Sequence, residues 1–329
     1  SRRANGRRPT DSYDGKNSAS VLMSDSVIKI GVVGLDSSHA VQYAKLLHET
    51  DHPHHVPGGQ IVAAYAGGSP DWELSHGRVP GFREELEHGF AIPVYHSIAE
   101  VVAASDAIMI LTIDGRVHVE QFEAVAAAGK PVYIDKPLTA TLADARKLAT
   151  VAAESATRVF SSSVWRYAVG LRDAKAALTG PARHMSLHGQ WMVHPGLHGW
   201  SWYGIHQVEM LYAVLGAGCQ RVACAQDGAA EVLTGFWSDG RIGTIATNHD
   251  EGLTYGGWIA DAEGTHAISV KDTMHDRYAA FLRGALDFYR GGPEPVALAE
   301  TMETIAFMET AWRSREQGGV VLDLPGGAA

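Results

Sequence analysis

The stretch VIKIGVVGLDSSHAVQYAKLLHET, residues 27–50, contains a strand, a tight turn and a helix in direct succession. Residues 27–33 are apolar except for Lys29, which is typical of a buried strand, and residues 39–50 carry apolar side chains at helical spacing. A turn of this kind holds a dinucleotide pyrophosphate when it follows the pattern G-x-G-x-x-G. Here the first glycine is Gly34, but Asp36 and His39 stand at the other two positions. The strand, turn and helix therefore predict a nucleotide fold whose phosphate turn departs from the pattern.

The same alternation continues downstream and defines the first half of the chain. Further strands are predicted in QIVAAYAGG, AIMILTI, PVYIDKP and RVFSSSVW, with helical segments between them. Strands separated by helices of this length form a parallel sheet covered on both faces. We predict a Rossmann-like, doubly wound dinucleotide-binding domain over residues 26–163, preceded by a flexible leader at residues 1–25.

The composition changes after Trp165, where glycine, histidine and aromatic residues become frequent. Segments such as HMSLHGQWMVH, VLTGFWSDG and RIGTIATN resemble strands joined by turns, with one embedded helix and two terminal helices. This predicts an α+β domain over residues 164–329 with a largely antiparallel, open sheet that serves substrate binding and oligomerisation. The cleft is expected between the two halves.

The amino-acid composition excludes some classes of binding partner. The chain of 329 residues is 46% apolar and 19% charged, with a formal net charge of −10. An acidic globular protein is a poor partner for nucleic acid or an anionic membrane, because both require a basic face. The two cysteines are too few for a disulfide framework, which favours the cytoplasm, and no apolar run of ~18 residues predicts a membrane span.

The substitutions in the phosphate turn leave several donors in place. Ser37 and Ser38 offer hydroxyl groups, and the amino end of the following helix offers backbone N–H groups to phosphate. Asp36 is expected to turn toward backbone amides, away from phosphate. The second strand ends at Gly67 and Gly68, where an acidic residue would hold the ribose 2′-hydroxyl. A 2′-phosphate would meet no repulsion there, so NADP is at least as well suited as NAD.

Residues 106–148, DAIMILTIDGRVHVEQFEAVAAAGKPVYIDKPLTATLADARKL, carry a more specific pattern. A strand, a helix led by His118 and the sequence Asp135-Lys136-Pro137 follow in this order. The order resembles the glucose-fructose oxidoreductase, inositol dehydrogenase and MocA (Gfo/Idh/MocA) family, whose signature is E-K-P. The resemblance covers nearly the whole chain from Ile28, up to the closing helix and strand at residues 301–324.

The resemblance implies roles for particular residues. In that family the lysine of E-K-P lies between nicotinamide and substrate, and a D-x-G-x-H helix supplies an acid/base partner. Here the lysine is Lys136 and the helix begins Trp202-Tyr203-Gly204-Ile205-His206, with tryptophan at the aspartate position. This tryptophan and the altered phosphate turn are two departures from the family pattern, and they indicate an atypical branch of the family.

Alcohol oxidation needs an acid/base group beside the nicotinamide. Burial and a neighbouring cation would lower the pKa of Lys136, and His206 could accept or relay the proton. The predicted catalytic residues are Lys136, His206 and Tyr203. The predicted cofactor-binding residues are Gly34, Leu35, Asp36, Ser37, Ser38, His39, Gly67, Gly68, Ser69, Thr112, Asp114, His118, Asp135 and Arg166.

The predicted substrate-binding residues are Lys136, Arg166, Trp191, His194, Trp202, Tyr203 and His206. The run at residues 188–206, rich in aromatic side chains and histidines, either packs against sugar rings or fills a domain core. Arg166 either orients a ligand or forms a structural salt bridge. No metal site is expected, because the His residues spaced four apart lie on strand and loop without a carboxylate.

These residues favour an NAD(P)-dependent oxidoreductase acting on a secondary hydroxyl of a sugar, glycoside or cyclitol. Two alternatives stay open: a lyase or hydrolase that forms a transient keto sugar on bound NAD(P), and a nucleotide-free sugar-binding or regulatory protein. A homo-oligomer assembled through the carboxy-terminal sheet is expected.

Overall fold

A computed structural model describes residues 26–190, 199–248 and 254–326. The predicted leader at residues 1–25 and the predicted substrate residues Trp191 and His194 lie outside the described residues. No helix within the described ranges combines the length and hydropathy needed to cross a membrane.

The first half forms a six-stranded parallel sheet in the order β3-β2-β1-β4-β5-β6. Its strands are β1 (Ile28–Val33), β2 (Gly59–Tyr65), β3 (Val94–Tyr95), β4 (Ala107–Ile110), β5 (Val132–Ile134) and β6 (Val159–Ser161). The helices are α1 (His39–His48), α2 (Glu73–His76), α3 (Val79–Glu84), α4 (Ile98–Ala104), α5 (His118–Ala126) and α6 (Leu142–Ser155), with a π-helical turn at Glu85–Gly89. This order confirms the predicted doubly wound fold.

The sequence explains these elements locally. The strands β4 and β5 are buried along their whole length, as parallel strands covered on both faces must be. Helix α6 begins after Thr141, whose hydroxyl accepts a hydrogen bond from Asp144 N and satisfies an otherwise unpaired amide.

The second half forms a seven-stranded mixed sheet in the order β12-β11-β7-β10-β9-β8-β13, in which only the β7–β10 pair is parallel among the described pairs. Its strands are β7 (His184–Gln190), β8 (Cys219–Asp227), β9 (Ala230–Trp237), β10 (Ile242–Asn248), β11 (Gly256–Ala260), β12 (Thr265–Ser269) and β13 (Leu322–Asp323). Its helices are α7 (Val169–Ala176), α8 (Gly204–Leu215), α9 (Met274–Tyr289) and α10 (Leu298–Glu316), with 3₁₀ turns at Val164–Tyr167 and Gly199–Ser201. The predicted, largely antiparallel sheet is confirmed.

One helix of the second half completes the core of the first. The α9 residues Tyr278, Phe281 and Phe288 are buried in one cluster with Tyr43 of α1 and Tyr133 of β5. The ring centroids of Phe281 and Tyr133 are 4.6 Å apart. The chain thus returns to the nucleotide domain after six of the seven described strands of the second sheet have formed.

The tight turn after β1 depends on a glycine. Gly34 has φ +99°, and a Cβ there would lie 2.3 Å from Thr112 Oγ1 and 2.5 Å from Thr112 N. The backbone of the β4 loop therefore fills the space that any side chain at position 34 would need.

We expect Gly34→Ala to lower the free energy of unfolding by about 2 to 5 kcal/mol, because the side chain meets both a strained φ and a backbone clash. Urea denaturation measures the change. The matched control is Gly81→Ala in α3, where a Cβ meets nothing within 4 Å and stability should rise by up to roughly 1 kcal/mol. Equal unfolding midpoints for wild type and Gly34→Ala would contradict the assigned turn.

Candidate active site

A cleft of about 250 Å³ opens where the carboxyl ends of the parallel strands face helix α8 and the second sheet. It brings together predicted residues from three separate segments of the chain. Its lining comprises Ser37, Ser38, His39, Arg78, Ile113, Asp135, Lys136, Val164, Trp165, Gln190, Trp202, Tyr203, His206, Tyr255, Met274 and Tyr278. The predicted catalytic residues Lys136, His206 and Tyr203 are all present.

Asp36 turns away from the cleft. Its side chain is fully buried, with Oδ1 accepting from Ile113 N at 3.1 Å and Oδ2 accepting from Ser75 Oγ at 2.6 Å. The carboxylate therefore binds a backbone amide of the β4 loop and not the amino end of α1. Burial raises the pKa of Asp36, although these hydrogen bonds oppose the shift.

His39 joins the phosphate turn to the strand that carries the lysine. Its Nδ1 lies 2.5 Å from Asp135 Oδ2, and its ring stacks on Tyr43 at 5.3 Å between centroids. Asp135 Oδ1 also accepts from Lys136 N at 2.8 Å and from Tyr133 Oη at 3.1 Å. Burial alone would raise the pKa of Asp135, but His39 and Lys136 lower it below its usual value.

Lys136 extends into the cleft beside two aromatic rings. Its Nζ lies 5.2 Å from the centroid of Trp202 and 5.8 Å from that of Tyr203, within the range of a cation–π interaction. Burial lowers the pKa of Lys136, and the Asp135 carboxylate partly opposes the shift. The expectation that a neighbouring cation also lowers this pKa is wrong, because the neighbouring charge is the carboxylate.

His206 lies in the first turn of α8, and its Nδ1 is 2.7 Å from Ser163 Oγ. Burial lowers the pKa of His206 well below its ordinary value, and the charge of Lys136 lowers it further. The imidazole is therefore neutral at neutral pH. When Nδ1–H donates to Ser163, Nε2 is left as an acceptor.

His118 and Thr112 form hydrogen bonds that join two loops next to Lys136. His118 Nε2 lies 2.8 Å from Thr112 O, and its Nδ1 lies 3.0 Å from Pro137 O and from Leu138 O. Thr112 Oγ1 accepts from Gln121 Nε2 at 2.9 Å. These bonds fix the β4 loop against the loop that follows Lys136.

Several other predicted residues lie apart from the described cleft lining. Arg166 is held between two carboxylates: its Nε donates to Glu209, and its Nη2 donates to Glu300 at 2.5 Å. Both carboxylates belong to helices of the second half, so this arginine forms a structural ion pair between elements. Leu35 is fully buried and its N–H donates to Ala66 O at 2.7 Å, within the turn.

Three aromatic side chains of the cleft were not predicted. Trp165 and Tyr255 form one wall, with ring centroids 3.8 Å apart, and Tyr278 meets the ring of His39 edge-on at 5.4 Å. Trp165 lies two residues after the serine run at residues 161–163, where β6 ends, and this position indicates the carboxyl edge of the sheet. Tyr255 and Tyr278 carry no comparable signal in the sequence.

The phosphate end of the cleft suits a dinucleotide. Gly34 forms a turn in which no Cβ fits, and Ser37, Ser38 and His39 at the start of α1 line the same cavity as Lys136. A pyrophosphate at this helix end would receive backbone donors and the positive end of the helix dipole. The buried carboxylate of Asp36 points elsewhere, so it does not oppose such a ligand.

Comparison with known proteins agrees with this geometry. Residues 28–163 match the family described as "Oxidoreductase family, NAD-binding Rossmann fold", Gfo/Idh/MocA. This region belongs to the Gfo/Idh/MocA oxidoreductase family. The cofactor is accordingly a nicotinamide dinucleotide, NAD or NADP, and the enzyme class is oxidoreductase. No curated protein matches the chain.

Solved structures share the fold over most of the chain at low sequence identity. An oxidoreductase from Agrobacterium radiobacter in complex with NAD+, L-tartaric acid and magnesium has a TM-score of 0.72 at 15% identity, covering 92% of this chain and 100% of that chain. The WlbA dehydrogenase from Bordetella pertussis, in complex with NADH and UDP-GlcNAcA, has 0.71 at 17%, covering 92% and 99%. The scyllo-inositol dehydrogenase from Lactobacillus casei has 0.72 at 16%, covering 92% and 99%.

We expect Asp36→Asn to stabilise the fold at neutral pH, because it removes a buried charge, while the Asn oxygen can still accept from Ile113 N and its NH2 group can donate to Ser75 Oγ once that hydroxyl rotates. The raised pKa of Asp36 in the folded protein means that ionisation of this carboxyl reduces stability as the pH rises above its unfolded pKa. The advantage of the Asn variant should therefore shrink as the pH falls. Urea denaturation at neutral and mildly acidic pH measures it.

The control for this comparison is Asp173→Asn, which alters an exposed aspartate on α7. Its effect should be small at either pH. Calorimetric titration with NAD should show equal or tighter binding to Asp36→Asn. Loss of binding would mean that the Asp36 carboxylate contacts the ligand. It would overturn the conclusion that this carboxylate only joins neighbouring loops through hydrogen bonds to Ile113 and Ser75.

Proposed function

We propose that this protein oxidises a secondary hydroxyl of a sugar, glycoside or cyclitol, with Lys136 and His206 in the acid/base roles. The observation that carries the proposal is the position of Lys136 Nζ, in one cleft with the start of α1 on one side and an aromatic wall on the other. A group placed there meets both a nicotinamide held by the phosphate turn and a substrate held by the second half.

The bound nicotinamide supplies the hydride acceptor for the alcohol carbon. The residues that would hold its pyrophosphate are Ser37, Ser38 and the N–H groups at the start of α1. Loss of hydride from carbon makes the hydroxyl proton acidic, so a nearby base must take that proton.

Lys136 is the stronger candidate for the proton acceptor. Its lowered pKa increases the neutral amine fraction near neutral pH, while an amine still binds a proton more firmly than a buried imidazole. His206 holds a proton poorly, so its Nε2 suits accepting a hydrogen bond from the substrate hydroxyl and relaying the proton. The Tyr203 ring lies edge-on to the His206 ring, with 5.7 Å between centroids, and its own centroid is 5.8 Å from Lys136 Nζ. Its hydroxyl group is therefore a further candidate donor.

The walls of the cleft support a carbohydrate or cyclitol. Trp165, Trp202, Tyr203, Tyr255 and Tyr278 present apolar ring faces, and such faces pack against the C–H faces of sugar rings. Two solved structures with this fold are described as an inositol dehydrogenase and as a complex with a UDP-linked sugar acid. The two thiols, Cys219 and Cys224, are free and buried, which supports the cytoplasm as the compartment.

Replacing Lys136 with Met should reduce turnover by about 100-fold or more, because the variant keeps the apolar stem and loses the proton acceptor. Purified protein is incubated with NAD or NADP and a panel of cyclitols, hexoses and glycosides, and reduced nicotinamide is measured by absorbance. Binding of the dinucleotide, measured by calorimetry, should change little.

The matched control is Lys147→Met, which removes an exposed lysine of α6 paired with Asp144 and should leave turnover unchanged. Activity of Lys136→Met within a few-fold of wild type would eliminate the lysine as the acid/base group. Product formation without net reduced cofactor would instead indicate a lyase or hydrolase that passes through a keto sugar.

We also propose a homodimer built on the open face of the second sheet. The outward side chains of β9 and β11 include Val232 and Trp258, which are 46% and 36% exposed. The neighbouring outward residues Ser186, Thr244 and Ala246 are small and uncharged, so two such faces can pack flat against each other.

The double substitution Val232→Glu and Trp258→Glu places like charges on both copies of this face and should convert a dimer into a monomer. Sedimentation velocity at several protein concentrations measures the change. The control replaces exposed Val169 of α7 with Glu, which should leave the dimer intact. A monomeric wild-type protein would rule the assembly out.

A further inference from the structure

The loops after β2 and β4 meet across the end of β1. In the sheet, β1 lies between β2 and β4, so a bond from one outer loop to the other must cross above the Gly34 turn. Ser69 Oγ of the β2 loop donates to Asp114 Oδ2 of the β4 loop at 2.5 Å. Beside it, Arg116 of the β4 loop reaches Asp71 of the β2 loop. These contacts lie where the adenosine ribose of a dinucleotide is held in a fold of this type.

The end of β2 offers no side chain for the ribose. Gly67 has φ +60°, and a Cβ there would lie 3.1 Å from Gly34 Cα. Gly68 has φ +95°, and its Cβ would lie 3.0 Å from a methyl group of Val79. The glycines keep the β2 loop close to the phosphate turn, so recognition of the ribose 2′ position must come from a neighbouring loop.

Asp114 binds one edge of the Arg116 guanidinium group, which leaves the opposite edge directed away from Asp114. Nε and Nη2 donate to Asp114 at 2.9 and 2.7 Å, and the Asp114 side chain is fully buried. Burial alone would raise the pKa of Asp114, but hydrogen bonds from Arg116 and Ser69 bring it below its usual value. This carboxylate stays ionised and fixes the plane of the guanidinium group.

The other edge of Arg116 is held weakly. Nη1 and Nη2 donate to Asp71 at 3.0 and 3.2 Å, and the Asp71 side chain is 66% exposed. Exposed ion pairs of this kind contribute little to stability, because water screens both charges. A phosphate dianion offers the same guanidinium edge a stronger, bidentate partner.

We propose that Arg116 binds the 2′-phosphate of NADP in place of Asp71, which makes NADP the preferred cofactor. The inference rests on the proposed function, since it assumes that a nicotinamide dinucleotide occupies the turn. Asp114 holds the arginine in position, and Asp71 occupies the edge until the phosphate displaces it. An arginine of the β4 loop thereby recognises the 2′-phosphate, for which the glycine-rich end of β2 offers no side chain.

Two probes of the adenosine end separate the phosphate from the rest of the cofactor. Adenosine 2′,5′-bisphosphate carries the 2′-phosphate, and adenosine 5′-monophosphate lacks it. Calorimetric titration of the wild-type protein should show the bisphosphate binding roughly tenfold or more tightly, as expected for charge-assisted hydrogen bonds. NADP should exceed NAD by a similar factor.

Two variants should shift this preference in opposite directions. Arg116→Gln should reduce the preference for the 2′-phosphate by roughly tenfold or more, with circular dichroism as the check on folding. Asp71→Asn should strengthen bisphosphate binding several-fold and leave the monophosphate unchanged, because it removes the competing carboxylate. Asp71→Asn leaves the buried Arg116–Asp114 pair intact, so it decides the matter even where Arg116→Gln fails to fold.

The matched control is Arg83→Gln, which removes an arginine of α3 from a similar exposed pair with Glu87 and should leave both affinities unchanged. Equal binding of NAD and NADP, or weaker monophosphate binding by Asp71→Asn, overturns the inference and leaves the oxidoreductase assignment standing. Weaker monophosphate binding by Asp71→Asn would identify Asp71 as an acceptor for the ribose hydroxyl. Absence of binding by either dinucleotide overturns the proposed function and the inference together.

Discussion

The buried carboxylate of Asp135 fixes the phosphate turn relative to β5, the strand that precedes Lys136. It accepts hydrogen bonds from the His39 ring, the Tyr133 hydroxyl and the Lys136 amide, which compensates for its removal from water. Two departures from the family pattern meet in this contact. Histidine replaces the third glycine of the turn, and aspartate replaces the glutamate of the signature, so the longer side chain at position 39 faces the shorter one at position 135. The departures are complementary.

The sequence was most informative where local pattern and position in the sheet coincide. Continuous apolar strands predicted the parallel sheet, and the ordered motifs brought Lys136, Tyr203 and His206 into one site. Arg166 shows the limit of this reasoning. Its partners Glu209 and Glu300 lie 43 and 134 residues further along the chain, and only tertiary packing joins them. The amphipathic pattern of α9 likewise indicates a buried face without indicating which core that face enters.

The two nitrogen bases of the site also constrain each other. The charge of Lys136 is one cause of the low pKa of His206, so a proton on the lysine keeps the imidazole neutral. The two bases therefore carry at most one positive charge between them, next to the ionised carboxylate of Asp135 and the guanidinium group of Arg78 in the same cleft lining.

The return of α9 to the first core has a consequence for biosynthesis. The cluster around Tyr43 and Tyr133 is closed by Phe281 and Phe288, and Arg158 Nη1 donates to Phe288 O at 3.0 Å. A ribosome delivers residues in order, so the nucleotide domain leaves the exit tunnel with this side of its core exposed and stays incomplete until about residue 289 has emerged. Most of the second domain must be made before the first can finish folding, and the two halves mature as one unit although they look separable in sequence.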